Sequence, residues 1–241
     1  RAGGVNDDIG LYGEYDHEIG KLRLTGTARL DRWPVRSGHF EEQNAAGVVT
    51  TANRFADRSG WALSLRGGAL LAVNDRLTLR ASIYDGLRQP TLNELYRPFV
   101  VFPVTTRANA NLANEKLFGF EAGLEFKAGP LEVQAGAFDN RVRGAIANVT
   151  IGPNLRERRN VDAVHSRGIE LTAKARLGAF SGDGSVTLLA ARVEGSGVSA
   201  ALDRMRPAQV PEFALSTTLS WRPGKDWLVA VTLRHLSSQF E

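Results

Sequence analysis

The sequence predicts an all-β fold in which about ten long antiparallel strands form the wall of a transmembrane β-barrel. Three observations predict it. Apolar and polar residues alternate over stretches of about ten residues, as in Leu77–Thr78–Leu79–Arg80–Ala81–Ser82–Ile83–Tyr84, in Gly168–Leu177 and in Phe213–Trp221. A period of two puts one residue class on each face of a strand. The connectors run short, long, short, long along the chain, the rule for barrels with tight periplasmic turns and long outer loops. Charges inside the strands keep to the polar phase: Arg23, Arg29, Arg80, Glu121, Glu125, Lys127, Glu132, Glu170, Lys174, Arg176, Arg222 and Arg234. A cation facing lipid at mid-depth costs about 2–4 kcal/mol, so a lipid-facing stripe must be free of them.

The elements follow in order. The first strand is expected near Ile9–Asp16, with a tight turn at His17–Gly20. The second runs near Lys21–Arg32, with Leu22, Leu24, Ala28 and Leu30 on one face. A long polar loop, Trp33–Ser59, follows. The third strand is near Trp61–Val73, Asn74–Asp75 supplies turn chemistry, and the fourth is near Leu77–Gly86. A second long loop spans Leu87 to about Asn114. The fifth strand, near Lys116–Ala128, carries Phe118, Phe120, Ala122, Leu124 and Phe126 in one phase. Gly129–Pro130 turns the chain into a sixth strand near Leu131–Val149, and the loop Thr150–Arg159 follows. The seventh is near Val164–Leu177, with a Gly/Ser turn at Gly178–Gly184. The eighth, near Ser185–Glu194, is the weakest, because Leu188–Leu189–Ala190–Ala191 breaks the alternation. A loop spans Gly195–Val210. The ninth strand is near Glu212–Arg222, Pro223–Gly224–Lys225–Asp226 turns, and the tenth is near Trp227–Ser238. Trp221, Trp227 and Phe126 at strand ends suit an interfacial aromatic girdle. A sandwich or stacked soluble β-protein carries no two-sided loop rule, and its strands are usually nearer five or six residues.

Composition sets further bounds. The 241 residues carry a net charge of +4 and no cysteine. No apolar run approaches the roughly 18 residues that a membrane-spanning helix needs. The basic residues are spread along strands and loops without a nucleic-acid motif, so no nucleic-acid partner is expected. Lysine occurs only at Lys21, Lys116, Lys127, Lys174 and Lys225. The arginine bias suits a charged lumen or a surface that meets lipopolysaccharide, and genomic base composition explains it equally well. Arg1–Asp8 has no apolar segment of the signal-peptide kind, so the native N-terminus is expected upstream.

Several short segments then point to a family. They are Arg88–Gln89–Pro90–Thr91–Leu92–Asn93–Glu94–Leu95–Tyr96, Asn111–Leu112–Ala113–Asn114–Glu115 with Phe120–Glu121–Ala122–Gly123, and Phe138–Asp139–Asn140–Arg141–Val142–Arg143 with Ile146. Arg159–Asn160–Val161 and Gly168–Ile169–Glu170 complete the set. In order and spacing, over roughly Leu77 to Trp221, they resemble the C-terminal part of the barrel of TonB-dependent outer-membrane receptors. The resemblance implies a bacterial outer-membrane barrel of about 22 strands, of which this chain would supply about ten, incomplete at both ends. It implies an N-terminal plug domain, absent from residues 1–241, through which TonB acts. It also implies energy-coupled uptake of a scarce ligand such as a ferric siderophore, haem, cobalamin or a glycan. Outer-membrane lipid and lipopolysaccharide are the other expected partners, and no cofactor is expected.

The alternatives are a passive porin-like or structural barrel and an outer-membrane hydrolase. Of the histidines, His17, His39, His165 and His235, none forms a short-spaced pair for zinc. His165–Ser166 invites the hydrolase reading, but no nucleophile-elbow motif accompanies it, and no enzyme activity is expected. Asn6–Asp7–Asp8 and Glu41–Glu42 read as solvated loop charge before a cation site, and Gly224–Lys225 as a turn. The loop Leu87–Asn114 is the best binding candidate. Arg88, Arg97, Phe99, Phe102, Arg107 and Asn109 are its candidate ligand contacts, arginine for an anionic ligand and the rings for a flat one. Within it, Pro90, Leu92, Leu95 and Tyr96 are expected to fold Arg88–Tyr96 against the barrel wall.

Overall fold

The computed structural model describes residues 1–240. Its strands are β1 (Ala2–Asn6), β2 (Ile9–Ile19), β3 (Leu22–Gln43), β4 (Val49–Arg54), β5 (Arg58–Asn74), β6 (Leu77–Arg88), β7 (Phe99–Val101), β8 (Val104–Arg107), β9 (Glu115–Ala128), β10 (Leu131–Arg143), β11 (Ile146–Gly152), β12 (Leu155–Asn160), β13 (Ala163–Leu177), β14 (Phe180–Glu194), β15 (Phe213–Trp221) and β16 (Val229–Leu236). One helix, α1 (Leu92–Tyr96), and a 3₁₀ turn at Gly197–Leu202 lie in the loops. No helix among the described residues is long and apolar enough to cross a membrane.

One large sheet carries the fold, in the order β1-β3-β5-β6-β9-β10-β13-β14-β15-β16, with β2 and β4 also paired to β3. β1 and β2 flank the same edge of β3 in succession, as β4 and β5 do on the other edge. The wall therefore consists of ten successive antiparallel crossings, as the alternation predicts. The sheet is open, since β16 does not pair with the β1–β2 edge. Thirteen residues of β10 at about 3.4 Å each, tilted about 40°, rise roughly 34 Å, enough for an apolar band about 25 Å tall.

The register carries the two phases across the wall. Leu24, Ala69, Ala81, Ala122, Ala137, Ile169 and Leu188 lie in one cross-strand row on one face. Glu121, Glu125, Lys127, Glu132, Glu170, Lys174 and Arg234 lie on the other. The apolar face is bare: Leu63, Ile83, Phe118, Phe120, Ile169, Leu188 and Val231 are all exposed. Water-soluble monomers rarely expose contiguous apolar surface beyond a few hundred Å². A belt of this extent fits hydrocarbon as its solvent. At the tight-turn end Phe180 stacks on Trp221 with ring centroids 6.0 Å apart, a pair of interfacial aromatics where the girdle is expected.

The structure corrects several boundaries. The expected loop Trp33–Ser59 is mostly strand, because β3 runs on to Gln43 and pairs with β1 and β4. Pro34 lacks an amide proton, but its carbonyl accepts from the Asp7 N–H at 3.3 Å, so the ladder continues past it. The sixth strand ends at Arg143, not Val149: Gly144 takes φ 63°, a conformation glycine adopts without strain, and turns the chain away. The expected loop Thr150–Arg159 is a hairpin, β11–β12, turned at Asn154 (φ 52°). The eighth strand begins at Phe180 and pairs without a bulge, so the Gly178–Gly184 turn shrinks to Gly178–Ala179. Its doubtful run is resolved by phase: Leu188 and Ala190 fall on the apolar face, Leu189 and Ala191 on the other.

Candidate functional site: the platform above the wall

Among the described residues, two buried clusters form, both at the long-loop end. One gathers Val35, Leu95, Tyr96 and Leu112, with Phe55 and Leu92 against them. The other gathers Ala145, Val149, Val161 and Val193. They support a second, four-stranded sheet in the order β11-β12-β8-β7, in which β8 runs parallel to β12.

The segment Arg88–Tyr96 folds against the wall, as expected. Thr91 caps α1: its hydroxyl accepts from the Glu94 N–H (3.1 Å), and the Glu94 carboxylate accepts from the Thr91 N–H (2.7 Å). The Arg88 guanidinium forks onto Glu94 (3.0 and 3.1 Å) and also pairs with Glu115. Glu115 in turn accepts from the Ile146 N–H at 2.6 Å. Burial pushes the Glu94 carboxyl up, but Arg88 and Thr91 together outweigh it and hold the pKa below the ordinary carboxylate value. Tyr96 stacks on Phe55 at 4.7 Å. Gly38 sits under its ring so closely that an added Cβ would lie 2.5 Å from the Tyr96 Cζ.

Beyond α1 the candidates separate into two groups. Arg88 and Asn109 are spent on structure. Asn109 donates from Nδ2 to the Arg158 carbonyl (3.0 Å), and its N–H reaches the Glu94 carbonyl (3.1 Å). Arg97, Phe99, Phe102 and Arg107 are displayed on or beside the β7–β8 hairpin. Phe102, at its tip, is 92% exposed. Arg97 and Arg107 are exposed, and Arg107 is in register with Glu157 of β12.

The sequence reading missed Arg158. It donates to the carbonyls of Asn93 and Arg97 (2.9 Å to the latter), and its guanidinium lies 5.0 Å from the Phe99 ring centroid. Burial pulls its pKa down from the ordinary arginine value. The run Arg156–Glu157–Arg158–Arg159 was the available signal, but its partners lie some sixty residues away in sequence. Asn160, visible in the sequence only as part of the Arg159–Asn160–Val161 segment, is a second pin. It accepts from the Ala113 N–H (2.8 Å) and donates to the carbonyls of Ala113 (3.1 Å) and Gly144 (2.6 Å). Together Arg158 and Asn160 lock the loop after β6 to the loop after β10. The result is a cross-pinned platform with a cationic and aromatic upper edge, suited chemically to an anionic or flat solute.

The other candidates resolve as follows. His165 and Ser166 are adjacent on β13, so they point to opposite faces, and His165 pairs with Asp139 at 2.7 Å. Asp7 pairs with Arg36, and Asp8 accepts from Gln89 Nε2 at 2.6 Å. No cluster of three metal-ligating side chains occurs among the described residues.

Comparison with known proteins places this geometry. The family model "TonB dependent receptor-like, beta-barrel" matches residues 1–240, and the chain belongs to that family. A search of the curated proteins found no match. Among solved structures, the copper transporter OprC superposes with a TM-score of 0.77 at 22% identity, over 96% of this chain and 34% of that one. The Serratia marcescens hemophore receptor HasR, solved as a double mutant with its hemophore HasA and heme, gives 0.75 at 18% identity, over 98% and 44%. The Neisseria meningitidis iron transporter FrpB gives 0.65 at 21%, over 92% and 31%. The chain thus spans less than half the length of these structures.

Proposed function

We propose that these ten crossings are part of a bacterial outer-membrane receptor that imports a scarce ligand by TonB-dependent, energy-coupled uptake. The apolar face meets hydrocarbon, the polar face lines the lumen, and the tight turns face the periplasm. TonB would act through a plug supplied outside residues 1–240, since the family match assigns all of these to the barrel. The single observation that carries the reading is that full-length family match on an open, two-faced sheet. The family resemblance implies a ferric siderophore, haem, cobalamin or a glycan as ligand; Arg97, Phe99, Phe102 and Arg107 would meet it first, and their chemistry favours the anionic or flat members of that set. Arg88 and Asn109 would act by holding the platform in place.

The test is growth of a strain carrying the full-length gene under iron limitation and, separately, under cobalamin limitation, with and without functional TonB. The reading expects a growth advantage that disappears without TonB. Uptake that persists at the same rate without TonB would instead mark a passive pore.

A further inference from the structure

The polar face of the wall changes chemistry from one side of the sheet to the other. On β2 it carries Glu14, Asp16 and Glu18, and on the adjoining β3 it carries Arg23, Arg29 and Asp31. Ion pairs fix several of these charges: Arg23 Nε donates to Glu18 at 2.8 Å and Arg29 Nε to Asp31 at 2.9 Å. A groove of about 560 Å³ beside them brings in Arg66, Arg80 and Glu121, with Thr25 and Ser82 also in its lining.

At the other side the same face is hydroxylic. β14 presents Ser181, Asp183, Ser185 and Thr187; β15 presents Ser216, Thr218 and Ser220; β16 presents Thr232 and Arg234. Thr172, Ser185 and Ser216 share one cross-strand row, and the Thr218 and Thr232 hydroxyls meet at 3.0 Å. Above Thr187 this phase turns apolar, and Ala191 and Val193 are buried, Val193 in the second platform cluster. Below, the strip ends on a cavity of about 620 Å³ at the tight-turn end, where Lys174 and Arg176 stand beside Ser181 and Asp183. From Ser181 to Thr187 the strip runs roughly 20 Å along β14.

The two sides treat a neighbour differently. Hydrogen bonds to fixed charges are roughly twice as strong as neutral ones, so the β2–β3 side holds whatever complements it. A hydroxyl both donates and accepts and rotates to suit its partner, so a passing polar group exchanges with water there at little cost. Serine and threonine are also short, which leaves the widest gap beside β14–β16.

We propose that the hydroxyl strip on β14–β16 is the exit lane of the lumen: a water-filled passage down which a hydrated anionic ligand moves from beneath the platform to the Lys174–Arg176 mouth. The charged face of β2 and β3 holds the plug on the opposite side. An anion meets Arg234 along the lane and Lys174 and Arg176 at its end. The proposal rests on the uptake reading above, which puts the ligand in the lumen without choosing a side.

The test uses the full-length receptor in vesicles, freed of any other cysteine and spin-labelled at one position at a time. S185C and S216C report the lane, T25C and S82C the charged side, and V100C on the outer hairpin the unhindered rate. The probe is a neutral, water-soluble nickel complex, and a retained heat-modifiable gel shift shows that each variant folds. Labels in the lane are expected to collide with nickel nearly as often as V100C. Those on the charged side are expected to collide about tenfold less, because a packed interface excludes the probe. Slow collision at all four positions, or fast collision on the charged side alone, overturns the lane and leaves the plug in place. Rates near that of V100C at all four mean that nothing fills the lumen, and the uptake reading fails with the lane. In cells, S185W/S216W narrows the lane and is expected to abolish import of radiolabelled iron or cobalamin, whichever the wild type takes up through TonB, with surface binding retained. Undiminished import overturns the exit role even where the lane is wet.

Discussion

Ile169 in the wall is 56% exposed and Phe120 52%, whereas Leu95 and Leu112 in the loops above them are each 1% exposed. Among the described residues, no buried cluster lies within the wall's apolar band. Its strands are held by the backbone ladder, which lipid leaves no alternative to, and its apolar side chains wait for hydrocarbon. The platform is built like a small water-soluble domain, with clustered apolar residues, a capped helix and pinned asparagines. One chain therefore obeys two burial rules, divided at the level where Ala137 and Ile169 give way to Asp139 and Arg167. The same substitution must have different consequences on the two sides of that level.

The largest expected effect tests the platform. Leu95→Ala removes a side chain from the Val35–Tyr96–Leu112 cluster and is expected to destabilise the loop locally by about 2–5 kcal/mol. Faster amide exchange in residues 88–114, with the wall unchanged, is the readout; an effect spread evenly over the strands would erase the division. Next comes a charge placed on exposed apolar surface of both kinds. Ala122→Arg, mid-wall on the apolar face, is expected to cost about 2–4 kcal/mol in denaturant unfolding from lipid vesicles. Val100→Arg, at a hairpin residue that is 63% exposed, is expected to stay within about 0.5 kcal/mol. Equal costs would mean that the two surfaces share a solvent.

A smaller effect concerns the helix cap. Thr91→Ala is expected to weaken α1 by about 1 kcal/mol, seen as faster exchange at Glu94 and Leu95. The Glu94 carboxyl lies below its ordinary value of 4.5 in the folded loop. Its contribution is therefore complete above that value and is lost as pH falls from there through the folded pKa. Glu94→Gln should abolish this acid-side loosening of the loop, which proteolysis at low pH would reveal. Smallest of all, Phe102→Ala at the hairpin tip is expected to change stability by less than about 0.5 kcal/mol. Reduced ligand affinity of the folded Phe102→Ala receptor would place the ring in the ligand path, and unchanged affinity would remove it.

The same division explains what the sequence alone could disclose. In the wall, a period of two is a local signal, and it locates ten crossings, although the face of Leu188–Ala191 becomes clear only from the register. Where pairing depends on distant partners the signal vanishes. β8 lies parallel to β12, some fifty residues away, and no local pattern announces a parallel neighbour. Pro34 and the charges after it look like loop, yet β1 and β4 hold Val35–Gln43 as strand. Site residues divide likewise. Arginines and aromatics in the long loop are visible as candidates, but only folding shows that Arg88 is consumed by Glu94 and Glu115, or that Arg158 packs over Phe99.

One face of the wall meets hydrocarbon and the other meets water. Residues 1–241 contain no cysteine, so single spin labels can be placed in turn from Phe118 to Phe126 and collision rates measured with oxygen and with a water-soluble nickel complex, in vesicles. The account predicts strict alternation: oxygen access at Phe118, Phe120, Ala122, Leu124 and Phe126, nickel access at Gly119, Glu121, Gly123 and Glu125. Comparable nickel access at both sets would contradict it.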